Sequence, residues 1–168
     1  MSDIRESVDK LYSKILDFVS YTFRTEKEVR GKASFYLRKI SFPPDIDPVK
    51  VVDEIISKLK ASGDIDDDNY ARRYIEGLLL SSKSKSPREA SVFLYKKGIS
   101  EDIAGKYLDL LGGELEAKSL SSLVEKKARS IKNLKDPVAR NKLIRYLISK
   151  GFDPGRARAE VDKIASLK

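Results

Sequence analysis

Apolar residues recur every three or four positions along almost the whole chain. Ile4, Val8, Leu11, Ile15 and Phe18 form one stripe, and Val29, Ala33, Tyr36, Leu37 and Ile40 form the next. Val51, Ile55 and Leu59 follow, then Tyr70, Tyr74, Ile75 and Leu78, then Ala90, Phe93 and Leu94. Further on come Ile103, Tyr107, Leu110 and Leu111, then Leu120, Leu123, Val124 and Ile131. Leu143, Ile144 and Leu147 precede a last group of Ala157, Val161 and Ile164. This is the helical period, and no stretch sustains the two-residue alternation of a strand. The expected class is all-α.

Local signals place the helix ends. Thr25 with Glu28 reads as a capping box. Asp47-Pro48, Ser86-Pro87, Asp136-Pro137 and Asp153-Pro154 each set a capping side chain before a proline at the first helical position. Proline is tolerated there because the missing N–H would have no helical partner. Gly63, Gly98 and Gly151 fall where helices should close in the left-handed conformation.

The punctuation repeats. Leu94-Tyr95-Lys96-Lys97-Gly98-Ile99-Ser100 and Leu147-Ile148-Ser149-Lys150-Gly151-Phe152-Asp153 share the pattern Leu-x-x-Lys-Gly-apolar-cap. Leu37-Arg38-Lys39-Ile40-Ser41-Phe42 is a degenerate copy without the glycine. The chain is thus expected to divide into three units of three helices, 1–63, 64–113 and 114–168, with Gly112-Gly113 as the clearest joint. Internal repeats of this length usually stack, so an elongated array is expected.

Composition narrows the chemistry. The sequence holds no His and no Cys, so it offers no imidazole base, thiolate nucleophile, disulfide or ordinary zinc site. Most enzyme classes are disfavoured, and neither a cofactor nor a metal is expected. No segment approaches the ~20 apolar residues that span a bilayer. Met1 to Lys10 alternates charged with apolar residues and shows no secretory signal, so a cytoplasmic monomer without membrane partners is the expectation.

Charge changes the picture further. Lys and Arg number 34 against 26 Asp and Glu, a formal net charge of +8. The second helix of each unit is the basic one: 24–39 carries six basic and two acidic residues, 82–98 five and one, 125–150 nine and two. The acids collect elsewhere, as in Asp64, Asp66, Asp67 and Asp68, or Glu101, Asp102 and Asp109. A row of basic helices suits phosphates, whose long-range attraction needs cations in number rather than in an exact motif. The candidate contacts are Arg30, Lys32, Arg38 and Lys39; Arg88, Lys96 and Lys97; and Lys126, Arg129, Lys132, Arg140, Lys142, Arg145 and Lys150. Beside the stripe of Leu143, Ile144 and Leu147, both Arg140 and Lys142 are expected to face outward. Most aromatic residues lie on apolar stripes. Tyr95 and Tyr146, next to Lys96 and Arg145, are the better candidates for stacking on bases.

Other constellations fail. Asp64-Ile65-Asp66-Asp67-Asp68-Asn69 opens like a calcium loop, but Asn69 stands where glycine is required and Ile75 where glutamate is. Acids at a helix start are better read as caps. A helix-turn-helix over Ser86 to Leu111 would send a helix opening with Glu101-Asp102 into the major groove, which its charge opposes.

Four ordered segments together resemble the RecX family of bacterial recombinase regulators. Tyr21 to Val29 is similar to its Arg-x-x-Ser-Glu-x-Glu-Leu opening, and Gly63 to Ala71 resembles its Gly-Tyr-Leu-Asp-Asp-x-x-Phe-Ala signature. Ser86-Pro87-Arg88-Glu89 through Ser100 and Arg145-Tyr146-Leu147 through Phe152 match its Lys-Gly repeats. The resemblance covers about 17–165; Asp64 departs from it where an aromatic is common, and Pro43-Pro44 where a glycine usually closes the helix. It implies tandem three-helix repeats lying in the groove of the RecA–DNA filament. There the protein would limit filament growth, ATP hydrolysis and strand exchange, in DNA repair, recombination and the SOS response. The implied partners are RecA and single- and double-stranded DNA, met through phosphates. The rival expectation is a stand-alone basic helical module that binds nucleic acid without a recombinase.

Overall fold

The computed structural model describes residues 2–81 and 85–167, the side chains of 2–4 excepted; Ile4's side chain and Lys83 lie outside the described set. Among the described residues the chain is all-helical, with α1 (Ser2–Ser20), α2 (Glu26–Leu37), α3 (Pro48–Ala61), α4 (Asp67–Leu80), α5 (Pro87–Lys96), α6 (Glu101–Ala128), α7 (Pro137–Ser149) and α8 (Pro154–Ser166). The caps are those of the sequence: Thr25, Asp47, Asp136 and Asp153 each accept an N–H of the helix they open. Gly63, Gly98 and Gly151 have φ of 81°, 85° and 88°. Two of the acids in the calcium-like segment serve as caps. Asp66 accepts from the Asn69 N–H at 2.8 Å, and Asp67 accepts from the Glu26 N–H at 2.9 Å.

One expectation is corrected. Gly112 and Gly113 do not separate two helices; α6 runs through them for 28 residues. Each glycine in a helix interior costs about 1 kcal/mol. Burial of Tyr107, Leu115, Leu120 and Val124 along the same helix contributes about 1.5–3 kcal/mol per large side chain, which outweighs that cost. Gly112 is itself buried, with room for ordinary contact between an added Cβ and Leu108 or Pro87.

The chain forms two compact units, Met1–Tyr70 with Lys97–Ile99, and Ala71–Lys96 with Ser100–Lys168. In the first, Leu11 and Ile15 of α1, Val29 and Ala33 of α2, and Val52, Ile55, Ile56 and Leu59 of α3 close a core with Ile65. In the second, Leu120, Val124 and Ala128 of α6 meet Leu143, Ile144 and Leu147 of α7 and Ala157, Val161 and Ala165 of α8.

Each unit also holds one copy of the same polar clamp. In the first, the Thr25 hydroxyl donates to the Lys97 carbonyl at 2.7 Å while Lys97 Nζ reaches Glu28 Oε1 at 2.5 Å. In the second, the Ser86 hydroxyl donates to the Lys150 carbonyl at 2.8 Å, and Lys150 Nζ lies 3.7 Å from Glu89 Oε1. Thr25 and Ser86 are both fully buried. Ser86 and Glu89 form a second reciprocal capping box, beyond the cap before proline that the sequence suggests. The following glycine makes the approach possible. A Cβ on Gly98 would stand 2.5 Å from Lys27 Cβ, and one on Gly151 would stand 2.7 Å from Arg88 Cδ.

Candidate nucleic-acid interface

The structure sorts the basic candidates by whether their charge is already met. Arg30 bonds Asp53 at 2.6 Å and Glu26 at 2.7 Å, and Lys60 joins Glu26 at 2.5 Å. Asp53 and then Glu26 raise the Arg30 pKa, while bonds from Lys60 and Arg30 hold Glu26 below the usual carboxylate range. Lys97 and Lys150 belong to the clamps. The Lys97 ammonium is held above its ordinary value by Glu28. Burial works to raise Glu28, but Lys97, the Thr25 N–H and Arg24 outweigh it and leave its pKa lowered. Arg140 does not face outward as expected: it is half-buried and bonds Asp162 of α8 at 3.0 Å, because α8 packs against that side of α7.

Arg38, Lys39, Lys126, Arg129, Lys132, Lys142 and Arg145 are exposed, Lys32 is half-buried, and none of them has an ion-pair partner among the described residues. Arg88 is exposed, and its side chain runs beneath Gly151. Lys96 is exposed at the end of α5. Most of the exposed cations without an ion-pair partner lie at the end of α2 and on the α6–α7 segment.

A second recurrence becomes visible with the helices in place. Tyr36-Leu37, Phe93-Leu94 and Tyr146-Leu147 put an aromatic before the leucine of each Lys-Gly pattern or its degenerate copy. All three rings are half-buried. Each meets a residue of another helix that itself precedes a buried apolar one: Lys14 before Ile15, Tyr74 before Ile75, Lys127 before Ala128. Lys14 Nζ lies 5.5 Å from the Tyr36 centroid and Lys127 Nζ 4.8 Å from that of Tyr146. Tyr74 stacks on Phe93, with centroids 4.4 Å apart and planes at 14°. The signal was available as a register of 53 residues, from Tyr74 and Phe93 to Lys127 and Tyr146.

In the first unit the aromatic position is crowded by charge. Lys32 Nζ lies 5.3 Å from the Phe35 centroid and 5.2 Å from that of Tyr36, and Lys39 Nζ lies 4.4 Å from Phe35. Arg24 stands 4.4 Å over Phe18. In the second unit a groove of about 380 Å³ opens between α6 and α7, with Lys127, Ile131, Lys142, Leu143 and Tyr146 among its walls. Tyr95, the other stacking candidate, is 77% exposed. Among the described residues no three acids gather to hold a metal, and no helix is long and apolar enough to cross a membrane.

Helices opened by Asx or capping-box residues, two of them closed by Lys-Gly turns, define an all-helical protein with a repeated polar clamp. Residues 114–159 match the family model described as the third three-helix domain of RecX. The regulatory protein RecX of Limosilactobacillus reuteri (strain DSM 20016) is 31% identical over 143 residues, 85% of this chain and 50% of that protein. That of Finegoldia magna is 34% identical over 140 residues, 82% and 63% respectively. The crystal structure of RecX from Lactobacillus salivarius superimposes with a TM-score of 0.76 at 28% identity, covering 98% of this chain and 99% of that one. Over most of its own length the chain is thus similar to RecX proteins in sequence and in fold. It spans 50% and 63% of the length of the two curated relatives named here.

Proposed function

We propose that this chain is a non-enzymatic regulator that binds the RecA recombinase filament and its DNA, and restrains filament extension, ATP hydrolysis and strand exchange. Similarity to curated relatives that are named regulatory proteins supports the regulatory part. The observation that carries the contact part is the set of exposed cations without carboxylate partners on α6 and α7 and at the end of α2. Restraint would follow from differential binding: a chain that binds a non-extending filament state more tightly than the growing one shifts the population toward it. The division into repeats 1–63, 64–113 and 114–168 is part of the same reading, supported by the family match at 114–159.

The test is titration of the protein into a RecA ATPase assay with DNA in excess, comparing the parent with a variant carrying Arg129→Glu, Lys142→Glu and Arg145→Glu. Arg140 is left alone because its pairing with Asp162 makes its reversal a stability change. Inhibition is expected to fall sharply in this variant and to persist when Glu101, Asp102 and Asp109 become Lys. Equal inhibition by the parent and a folded Glu variant refutes the contact assignment. A parent that binds DNA but leaves the ATPase untouched supports the stand-alone nucleic-acid module instead.

A further inference from the structure

We infer that the α6–α7 groove is a seat for one unpaired base of single-stranded nucleic acid, with the Tyr146 ring as its stacking surface and Lys127 and Lys142 meeting the flanking phosphates. This rests on the nucleic-acid part of the proposed function and adds a mode of contact that phosphate attraction alone does not require.

The groove's chemistry is two-sided. Ile131, Leu143 and the Tyr146 ring give it apolar walls, and Lys127 and Lys142 bring two ammonium groups to it. Neither lysine has an ion-pair partner among the described residues. The α7 sequence contains no acidic residue. A carboxylate side chain entering from a partner would satisfy the ammoniums and leave the apolar walls wet. A nucleotide satisfies both, because its base has two apolar faces and its linkages are anionic.

The molecule carries an internal precedent for a flat ring at this place. Phe93, at the position equivalent to Tyr146, has a ring stacked on it by Tyr74 at 4.4 Å and 14°. The residue equivalent to Tyr74 is Lys127, 53 positions on, and Tyr146 has no aromatic partner among the described residues. Where one pair of helices fills the place with its own ring, the other leaves a groove of about 380 Å³ and a cation on a flexible stem. A base would lie on Tyr146 as Tyr74 lies on Phe93, with the Lys127 ammonium moving from the ring to a phosphate.

The experiment uses the whole chain and fluorescence anisotropy at one fixed salt concentration. A labelled 20-mer oligothymidylate is compared with a 20-mer of abasic tetrahydrofuran linkages, which carries the same phosphates and no bases. The parent is expected to prefer the base-bearing strand by at least about fivefold, since stacking a base on an aromatic is worth on the order of 1–3 kcal/mol. Tyr146→Leu should lose most of that preference with little change on the abasic strand, and Tyr146→Phe should keep it. Lys127→Tyr, which installs the ring pair of α4 and α5, should fill the groove and lose the preference as well. Thermal unfolding of each variant by circular dichroism shows that it is folded.

Equal binding of the two strands by the parent, or an unchanged preference in folded Tyr146→Leu, overturns the seat while leaving phosphate contact standing. Displacement of both strands alike by a polyglutamate peptide, with no base preference, overturns it in favour of a peptide groove. A parent that binds neither strand overturns the nucleic-acid part of the proposed function, and the seat with it. RecA ATPase inhibition, measured separately, then shows whether the regulatory part survives.

Discussion

Replacing Gly98 by alanine separates two costs that the structure assigns to different atoms. The first is backbone: φ at Gly98 is +85°, and an L-residue pays about 1–2 kcal/mol to hold the left-handed conformation. The second is steric. An added Cβ would stand 2.5 Å from Lys27 Cβ and 2.7 Å from Lys27 Cδ, and overpacking of that kind costs about 1–3 kcal/mol. Gly63 supplies the control, since its φ of +81° is nearly the same and an added Cβ meets nothing within 4 Å. Gly63→Ala should therefore lose only the backbone part, and Gly98→Ala about 1–3 kcal/mol more. For a chain of this size that excess is about 2–12 °C in melting temperature. The neighbours refine the test. Lys27→Ala removes the Cδ at 2.7 Å but keeps the Cβ at 2.5 Å, the closest contact, so it should rescue Gly98→Ala only slightly. Arg88→Ala removes the Cδ at 2.7 Å from a Cβ on Gly151 but keeps the Cβ at 2.9 Å, so it should rescue Gly151→Ala in part. Thermal melts followed by circular dichroism read the three glycine variants and the two double variants. If Gly98→Ala and Gly63→Ala melt within about 1 °C of each other, close approach is not what requires glycine at 98.

The buried hydroxyls give a second expectation. Thr25→Ala removes a helix cap and leaves the Lys97 carbonyl without its donor, so it should cost about 1–3 kcal/mol in urea unfolding. Thr25→Ser should cost far less, because Ser86 makes the same bonds from the equivalent place. Stability should also depend on pH at both ends. Glu26 and Glu28 have folded pKa values below the ordinary 4.5, so their contribution is present above about pH 4.5 and is lost as pH falls through the folded values. Lys97 has the opposite sign: its folded pKa lies above 10.5, so its contribution is complete below that pH and is lost as pH rises through the folded value. Asp67, raised by burial, works against the carboxylate loss in acid. Melting temperatures from pH 2 to 12 should fall at both ends, and Glu28→Gln should flatten both limbs; an unchanged profile in that variant would show that the clamp pair contributes nothing.

Much of the fold was legible because its signals are local. A cap needs only its own side chain and two or three N–H groups, and a left-handed close needs only glycine, so Thr25, Asp47, Asp136, Asp153, Gly98 and Gly151 all stand as read. The continuity of α6 was not legible, because two adjacent glycines signal a break locally while burial along the helix is settled by packing partners. The same limit governs the cations. Composition of one helix counts Arg30 and Arg140 as free, whereas Asp53 and Asp162, which neutralise them, sit on helices that only tertiary packing brings near. Tyr146 was singled out for its neighbour Arg145; the cations that reach its ring are Lys127 and Lys150, one on α6 and one after α7.

The degenerate third copy of the Lys-Gly pattern shows what the glycine is for. After α2 the place of Gly98 and Gly151 is held by Ser41, and no non-glycine residue among those described has positive φ. No capping box seats on that turn among the described residues; the Ser41 carbonyl takes a hydrogen bond from the Ser7 hydroxyl of α1 at 2.9 Å instead. Glycine thus appears where a capping box is seated and is absent where none is. The lysine obeys the same logic: Lys97 and Lys150 pair with the capping-box glutamates of their own units, so a polyanion would have to break an ion pair to recruit them. After α2 the matching place is held by Ile40, buried in the core of the first unit, and Lys39, one position earlier, has its charge over the Phe35 ring. The place before the glycine is therefore a lysine paired within its own unit where a clamp forms, and an apolar residue of the core where none does.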